Sequence, residues 1–556
     1  MTSSIFINNT VNEHGGAVYW QGTNGVISDS IFINNSALDY GGGVRWNNIN
    51  GTISNSIFIN NSATNLAGGG ISWGGANGVV INSTFNGNNA NGGGGIGWGG
   101  ANGVITDCRF IYNTANVRGG GVYWGTTSNG NLINCIFTNN SALDYGGGVW
   151  LDSINGNLIN STFIHNNASN GGGVYWNGAD GTLINSNFTS NLANDGGAIY
   201  WSAINGTLTN SIFINNSATN WCGAIYWTGA NGALTGSIFI NNNAQNEGGS
   251  IRWTGANGNL SDCKFTGNSV NSYNGGAIYW AGANGTITDS TFIHNNAPNG
   301  VGGGVCWTGD NCVLTDSTFK GNNAGWGGGV WWGGTNSNYD NCNFTDNHAI
   351  DGDNVYWVWT VEDFLNKYGQ INDYDYIWIK NGVGTPSRTI VLNKKGITIH
   401  GENNVIFDAK GGNLHFEITG NNILIENLSF RNFNFTNQGG AIRWTGNNGT
   451  LQNCKFNNNT AVWDGAGVCW YGDNGYLTSC TFTSNTVTGG DYGGGVYWSG
   501  DNGRLTNSTF IKNNAAYGGG GIGWYGENGY LISCTFINNI AIQKEVVFHG
   551  MLKMVI

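Results

Sequence analysis

Two prolines and three methionines in 556 residues, with only 9% charged side chains, are what this chain has least of. So little Pro excludes collagen, which also needs Gly at every third residue, and excludes rigid polyproline spacers. So little charge, beside 13% aromatics, excludes a disordered polar linker. The 19 basic against 31 acidic side chains leave a formal charge of −12, which repels nucleic-acid phosphates and anionic bilayer surfaces. No run approaches the ~18 apolar residues of a membrane span, and MTSSIFINNT at the start has no basic segment leading into an apolar one. Neither membrane insertion nor a signal peptide is therefore expected in this chain. Met1 opens inside a repeat, which implies a longer precursor.

What is abundant is Gly, with 97 residues, and a fixed beat. Trp recurs about every 26 residues from Trp20, Trp46 and Trp73 through Trp150 to Trp357, then from Trp444 to Trp524. Phe keeps the same period from Phe6 to Phe344 and from Phe430 to Phe536, giving 14 coils before a break and 5 after it. A representative unit is LINSTFIHNNASNGGGVYWNGADG at 158 to 181. Apolar residues come in runs of three to five between Asn and Gly, which predicts about three short strands per coil and no helix. One such coil cannot bury its own Leu, Phe and Val. Coils stacked at about 4.8 Å share backbone hydrogen bonds and a continuous core. The expected fold is therefore all-β, a right-handed parallel β-helix (solenoid) of about 26-residue coils.

Stacking places identical residues in columns. The Leu, Ile or Val five before each Phe, the Phe itself, and the Val or Ile two before each Trp are expected to point inward, as is the Trp. Asn stands three residues after Phe in all coils but that of Phe430, where Phe433 replaces it. Such a column suits a turn, where Asn tolerates left-handed backbone and its amides bond along the stack. The Asn-Gly pair after each Trp marks a second turn.

Three regions follow: 1–357 as a first block of coils, 358–429 as an interruption, and 430–556 as a second block with a divergent tail. TVEDFLNKYG in the interruption reads as a short helix near 360–369, with Thr360 and Asp363 as a capping box and Gly369 as its stop. It is expected to cap the open end of the second β-helix.

Catalytic signatures are missing. No Ser-His-Asp, P-loop or HExxH pattern occurs, the seven His are scattered, and Lys264 and Lys320 lie away from the acids, so no catalytic residue is assigned. Two acidic columns stand out: Asp262, Asp289 and Asp316 three before Phe, and Asp473, Asp501 and Glu527 three after Trp. Stacked carboxylates of this kind either replace Asn at solvated turns or share a hard cation such as Ca²⁺, and the first reading needs no metal or other cofactor. Seven of the 11 Cys, including Cys108, Cys135, Cys454 and Cys480, occupy a column that otherwise holds Ser, as free interior thiols would.

The residue before Trp offers an outward stripe, with Tyr123, Tyr175, Tyr200, Tyr226, Arg252 and Tyr279 as candidate ligand-binding residues. Tyr and Arg so spaced can stack sugar rings or grip a protein, although Tyr also simply favours strands.

GGAIYW at 196–201 and GAIYW at 223–227, combined with the FxxNxA pattern, resemble repeats of polymorphic outer-membrane and adhesin-like proteins. In their Asn-rich style they are similar to the adhesin-like proteins of methanogenic archaea. The segment from Gly396 to Phe430 resembles the opening coils of the pectate-lyase-like β-helix. The resemblance implies a cell-surface, extracellular protein that attaches to surface glycans or other cells. A polysaccharide lyase or glycoside hydrolase on the same scaffold is the alternative.

Overall fold

The computed structural model describes residues 1–543 and the backbone of 548–549; most of the divergent tail lies outside these. The chain is an all-β parallel solenoid, and it divides into two compact units, Met1–Ile350 and Asp351–Ile556.

In the first unit each coil contributes four strands rather than three, as in Thr182–Ile184, Asn187–Thr189, Leu192–Asp195 and Ile199–Trp201. The extra strand arises because a left-handed residue splits the Leu-to-Phe segment. Asn185 has φ +52° here, and Asn, Asp or Gly fills the same place in other coils. Asn and Asp tolerate this backbone because a short polar side chain bonds locally. Every strand pairs in parallel with its counterpart one coil on: Phe163 meets Phe188, Leu158 meets Leu183, and Trp176 meets Trp201. The Phe strands form one ladder of 14, from Ile5–Ile7 to Asn343–Thr345.

The inward columns are those the period assigns. Leu158, Phe163, Val174 and Trp176 have no exposed surface, and every Trp of the series from Trp46 to Trp332 except Trp150 is at most 1% exposed. Their rings stack face over face, Phe32 on Phe58 at 4.6 Å and Trp176 on Trp201 at 4.4 Å between centroids. Each such aromatic buries on the order of 200 Å², and no single coil could do this alone. Glycine serves the same columns. A Cβ on Gly95 would lie 2.8 Å from the ring of Phe110, and one on Gly103 would lie 2.4 Å from the indole of Trp98, so both rings lie directly on backbone.

One member of the Trp series departs from the rest. Trp150 pairs with Tyr123 and Tyr175 on the outer face, and Leu151 takes the inward place between Trp124 and Trp176.

The Asn column three after Phe is buried, and its backbone is not left-handed; the positive φ belongs to the residue before it, Asn34 ahead of Asn35 and His165 ahead of Asn166. The amides do bond along the stack. Asn88 Nδ2 donates to Asn113 Oδ1 at 3.0 Å and to the Phe58 carbonyl at 3.0 Å, and its backbone N–H donates to the same Asn113 oxygen at 3.0 Å. The turn expected after Trp is where left-handed residues occur instead, Asn24 at φ +54° and Asp180 at φ +58° among them.

The second unit opens with irregular coils. Its helix spans Val361–Lys367 and carries the expected capping box: Thr360 Oγ1 accepts the Asp363 N–H at 3.0 Å, and Asp363 accepts the Thr360 N–H at 3.1 Å. Gly369 does not stop it. The helix caps at Tyr368 and runs into a single 3₁₀ turn, Tyr368–Gln370, that contains Gly369. Val361 and Phe364 are buried, with Phe364 5.5 Å from Phe407, so the helix lays its apolar side on the core of the opening coils. Strands Tyr376–Ile379, Thr398–Asp408 and Leu424–Arg431 then lead into regular coils whose Trp444, Trp470, Trp498 and Trp524 stack as before.

Candidate functional site

A strand of three residues that turns its first and third side chains inward must turn the middle one out. In the first unit this middle residue reads Tyr123, Trp150, Tyr175, Tyr200, Tyr226, Arg252 and Tyr279 in seven consecutive coils. The structure thus brings all six candidate residues into one column, with Trp150 as a seventh.

The column is half-buried, because its members lean on one another. Tyr123 and Trp150 lie 5.0 Å apart between centroids, Tyr175 and Tyr200 5.0 Å, and Tyr200 and Tyr226 4.8 Å. A second column runs beside it across the glycine corner, five residues earlier in each coil. Arg118 faces Tyr123 from there, Tyr145 faces Trp150, Trp221 faces Tyr226, and Glu247 faces Arg252. The sequence could have shown Trp150 by alignment on the Gly triplet instead of on Trp. Arg118, Tyr145 and Trp221 keep a fixed spacing of five residues from the stripe but were hidden because no one residue type recurs there.

A third rail flanks the stripe on its other side. Asp152, Asn177 and Ser202 follow one another there, Asn177 donating to Asp152 at 2.7 Å and Ser202 to Asn177 at 2.9 Å. Rings bordered by hydroxyls, amides and carboxylates offer both an apolar face and hydrogen-bonding partners.

The electrostatics keep the phenols neutral. Burial raises the pKa of Tyr175, Tyr200, Tyr226 and Tyr279 above the ordinary value, so each keeps its O–H at any physiological pH. Burial opposes the charge of Arg252, but the Glu247 carboxylate at 2.8 Å outweighs it and raises the net pKa. Arg252 also donates to the Tyr226 hydroxyl and lies over the Trp221 ring at 4.5 Å. Burial likewise raises Asp195, which accepts from Asn220 Nδ2 at 2.9 Å.

The acidic columns do other work. Asp262, Asp289 and Asp316 are exposed and hold the left-handed turn position, with φ between +48° and +53°, that Asn holds elsewhere. In the second unit Asp473 accepts the N–H of Asp501 at 2.9 Å and Asp501 that of Glu527 at 2.7 Å, a chain of turn caps. Among the described residues no group of three or more His, Cys, Asp or Glu is arranged to hold a metal ion. All 11 Cys are free; in the Ser column Cys108 Sγ donates to the Thr106 carbonyl at 3.1 Å as Ser30 donates to Ser28 at 2.8 Å. Among the described residues no helix is long and apolar enough to cross a membrane.

A family model described as a right handed beta helix region matches residues 1–153. No curated protein matches the chain. Among solved structures, the PL6 family alginate lyase AlyGC is 8% identical, with 98% of this chain and 97% of that one covered at a TM-score of 0.33. A hyper-glycosylated TibA fragment is 12% identical over 63% of this chain and 99% of its own at 0.26. A mutant tailspike protein of E. coli bacteriophage HK620, in complex with a pentasaccharide, is 10% identical over 87% and 71% at 0.20.

Proposed function

We propose that this protein binds and does not cleave: its first unit presents the stripe from Tyr123 to Tyr279 to glycan chains, on the outside of a cell, as an adhesin or wall component. The observation that carries this is the file of outward side chains, one per coil over seven coils: five rings in succession, then Arg252, then Tyr279. Rings held by their neighbours lose little freedom on binding, which favours stacking of a sugar on each. The coil repeat of about 4.8 Å is close to the length of one sugar in an extended polysaccharide, so successive rings can meet successive residues. A cell exterior is where such polymers are met.

The test is retention of the full chain on immobilised polysaccharides and on intact partner cells, beside a Tyr175→Ala/Tyr200→Ala double variant. Stacking worth about 1 kcal/mol or more per ring predicts at least a tenfold weaker retention of the variant. If no glycan and no cell retains the chain, it is a structural stalk. Release of unsaturated or reducing ends during the same incubations, abolished by Asp289→Asn, would instead establish the lyase or hydrolase.

A further inference from the structure

We infer that the glycan taken up by the first unit is acidic, with carboxylates on its sugar rings, and that Arg118 receives one of them; the inference rests on the glycan reading above.

Arg118 stands at the end of the stripe where Tyr123 and Trp150 meet. Its guanidinium carbon lies 3.9 Å from the centroid of Trp150 and 5.1 Å from that of Tyr123. The side chain is half-buried. It is the one arginine of this face whose donors have no use within the protein. Arg252 is taken by Glu247 at 2.8 Å and by the Tyr226 hydroxyl. Arg45 donates to Ser72 at 2.6 Å and to Asn47 at 2.8 Å. Among the described residues Arg118 makes neither a side-chain hydrogen bond nor an ion pair, so its five N–H groups are all open.

Asp152 and Asp195 do not compensate it, because each is held by donors of its own. Asp152 accepts from Thr126 at 3.2 Å and from Asn177 at 2.7 Å, and Asp195 accepts from Asn220 at 2.9 Å and from the Trp221 N–H at 3.3 Å. A guanidinium lying over an indole keeps its rim of N–H donors free, and that planar fork fits a carboxylate with two parallel hydrogen bonds. One coil along, Tyr175 packs against Trp150 at 6.3 Å and continues the row of rings on which the neighbouring sugars would stack.

The experiment compares retention of the full chain on three polymers: a homopolymer of a uronic acid, the same polymer fully methyl-esterified, and a neutral polymer bearing sulfate. Wild type, Arg118→Gln, Arg118→Lys and Tyr200→Ala are each run, with circular dichroism to check that the variants remain folded. The wild type is expected to hold the acid form about tenfold better than the ester, a preference lost in R118Q and partly kept in R118K. Equal binding of acid and ester by the wild type overturns the inference, as does R118Q that keeps the preference. Sulfated polymer bound as tightly as the uronic acid overturns the carboxylate assignment. Failure of the glycan reading looks different: none of the polymers is held, or Tyr200→Ala changes nothing. Failure of this inference alone leaves ester binding that Tyr200→Ala still weakens.

Discussion

Leu151 stands in register between Trp124 and Trp176, and its neighbour Trp150 stands in register between Tyr123 and Tyr175. One residue of displacement along the strand has moved an indole from the core to the outer face, because successive side chains alternate.

The two tryptophans should therefore respond differently to truncation. Trp176→Ala empties a site with no exposed surface between stacked rings and is expected to cost about 3–5 kcal/mol. Trp150→Ala removes a ring that is 9% exposed and lies against Arg118, Tyr123 and Tyr145 on the outer face, and should cost less than Trp176→Ala, about 2–3 kcal/mol. Urea midpoints of the two variants decide; equal losses would contradict the placement of Trp150.

The buried Asn column makes a sharper demand. Asn166 Oδ1 accepts both the backbone and amide N–H of Asn140 at 3.0 Å, and Asn166 Nδ2 donates to the Phe137 carbonyl and to Asn191 Oδ1, each at 3.0 Å. Asn166→Leu keeps the branched shape but leaves the Asn140 donors buried without a partner, at a cost of about 2–5 kcal/mol. Asn157→Ala, which loses amide bonds to Asn131 at 2.9 Å and to the Asn155 carbonyl at 3.4 Å on the solvent side, should stay within about 1 kcal/mol. Thermal or denaturant midpoints that shift equally would mean that the ladder adds no more than an exposed contact does.

Asp464 sets a pH dependence in the second unit. Burial, reinforced by Asp491, lifts its carboxyl from the ordinary 3.8 to about 6, even though the Tyr492 N–H and Gln438 donate to it. Below both values folded and unfolded chains hold the proton alike. Between them the unfolded chain has released it and the folded chain has not, so stability falls as pH rises, and the full loss is reached above about 6. Asp464→Asn removes this loss. The difference in melting midpoint between variant and wild type should be small at pH 4, grow through the window and level off above it; a difference that stays constant across that range would refute the assignment.

Much of this was legible before any coordinates. The Leu, Phe, Val and Trp columns could be read because each recurs with the same residue type in nearly every coil, and stacking turns recurrence into contact. The capping box at Thr360 was legible because it is local. What escaped reading depended on backbone geometry or on positions where no one residue type recurs. The fourth strand is created by left-handed residues such as Asn185, which look like any other Asn in the sequence. Gly369 resembled a helix stop, but the chain tightens into a 3₁₀ turn there. The file of ring contacts required knowing that Arg118, Tyr145 and Trp221 share one corner with the pre-Trp column, and the mixture of residue types at that position conceals it.

Because each coil meets the next through the same columns, residues 182–206 form one complete coil, and Gly181 joined to Thr207 would restore the same sequence junction that Gly206 and Thr207 make now. Such an excision would leave the columns continuous while bringing Arg118 one step nearer to Arg252. The stripe is in this sense modular: each coil removed or added changes it by one outward side chain and leaves the core columns intact.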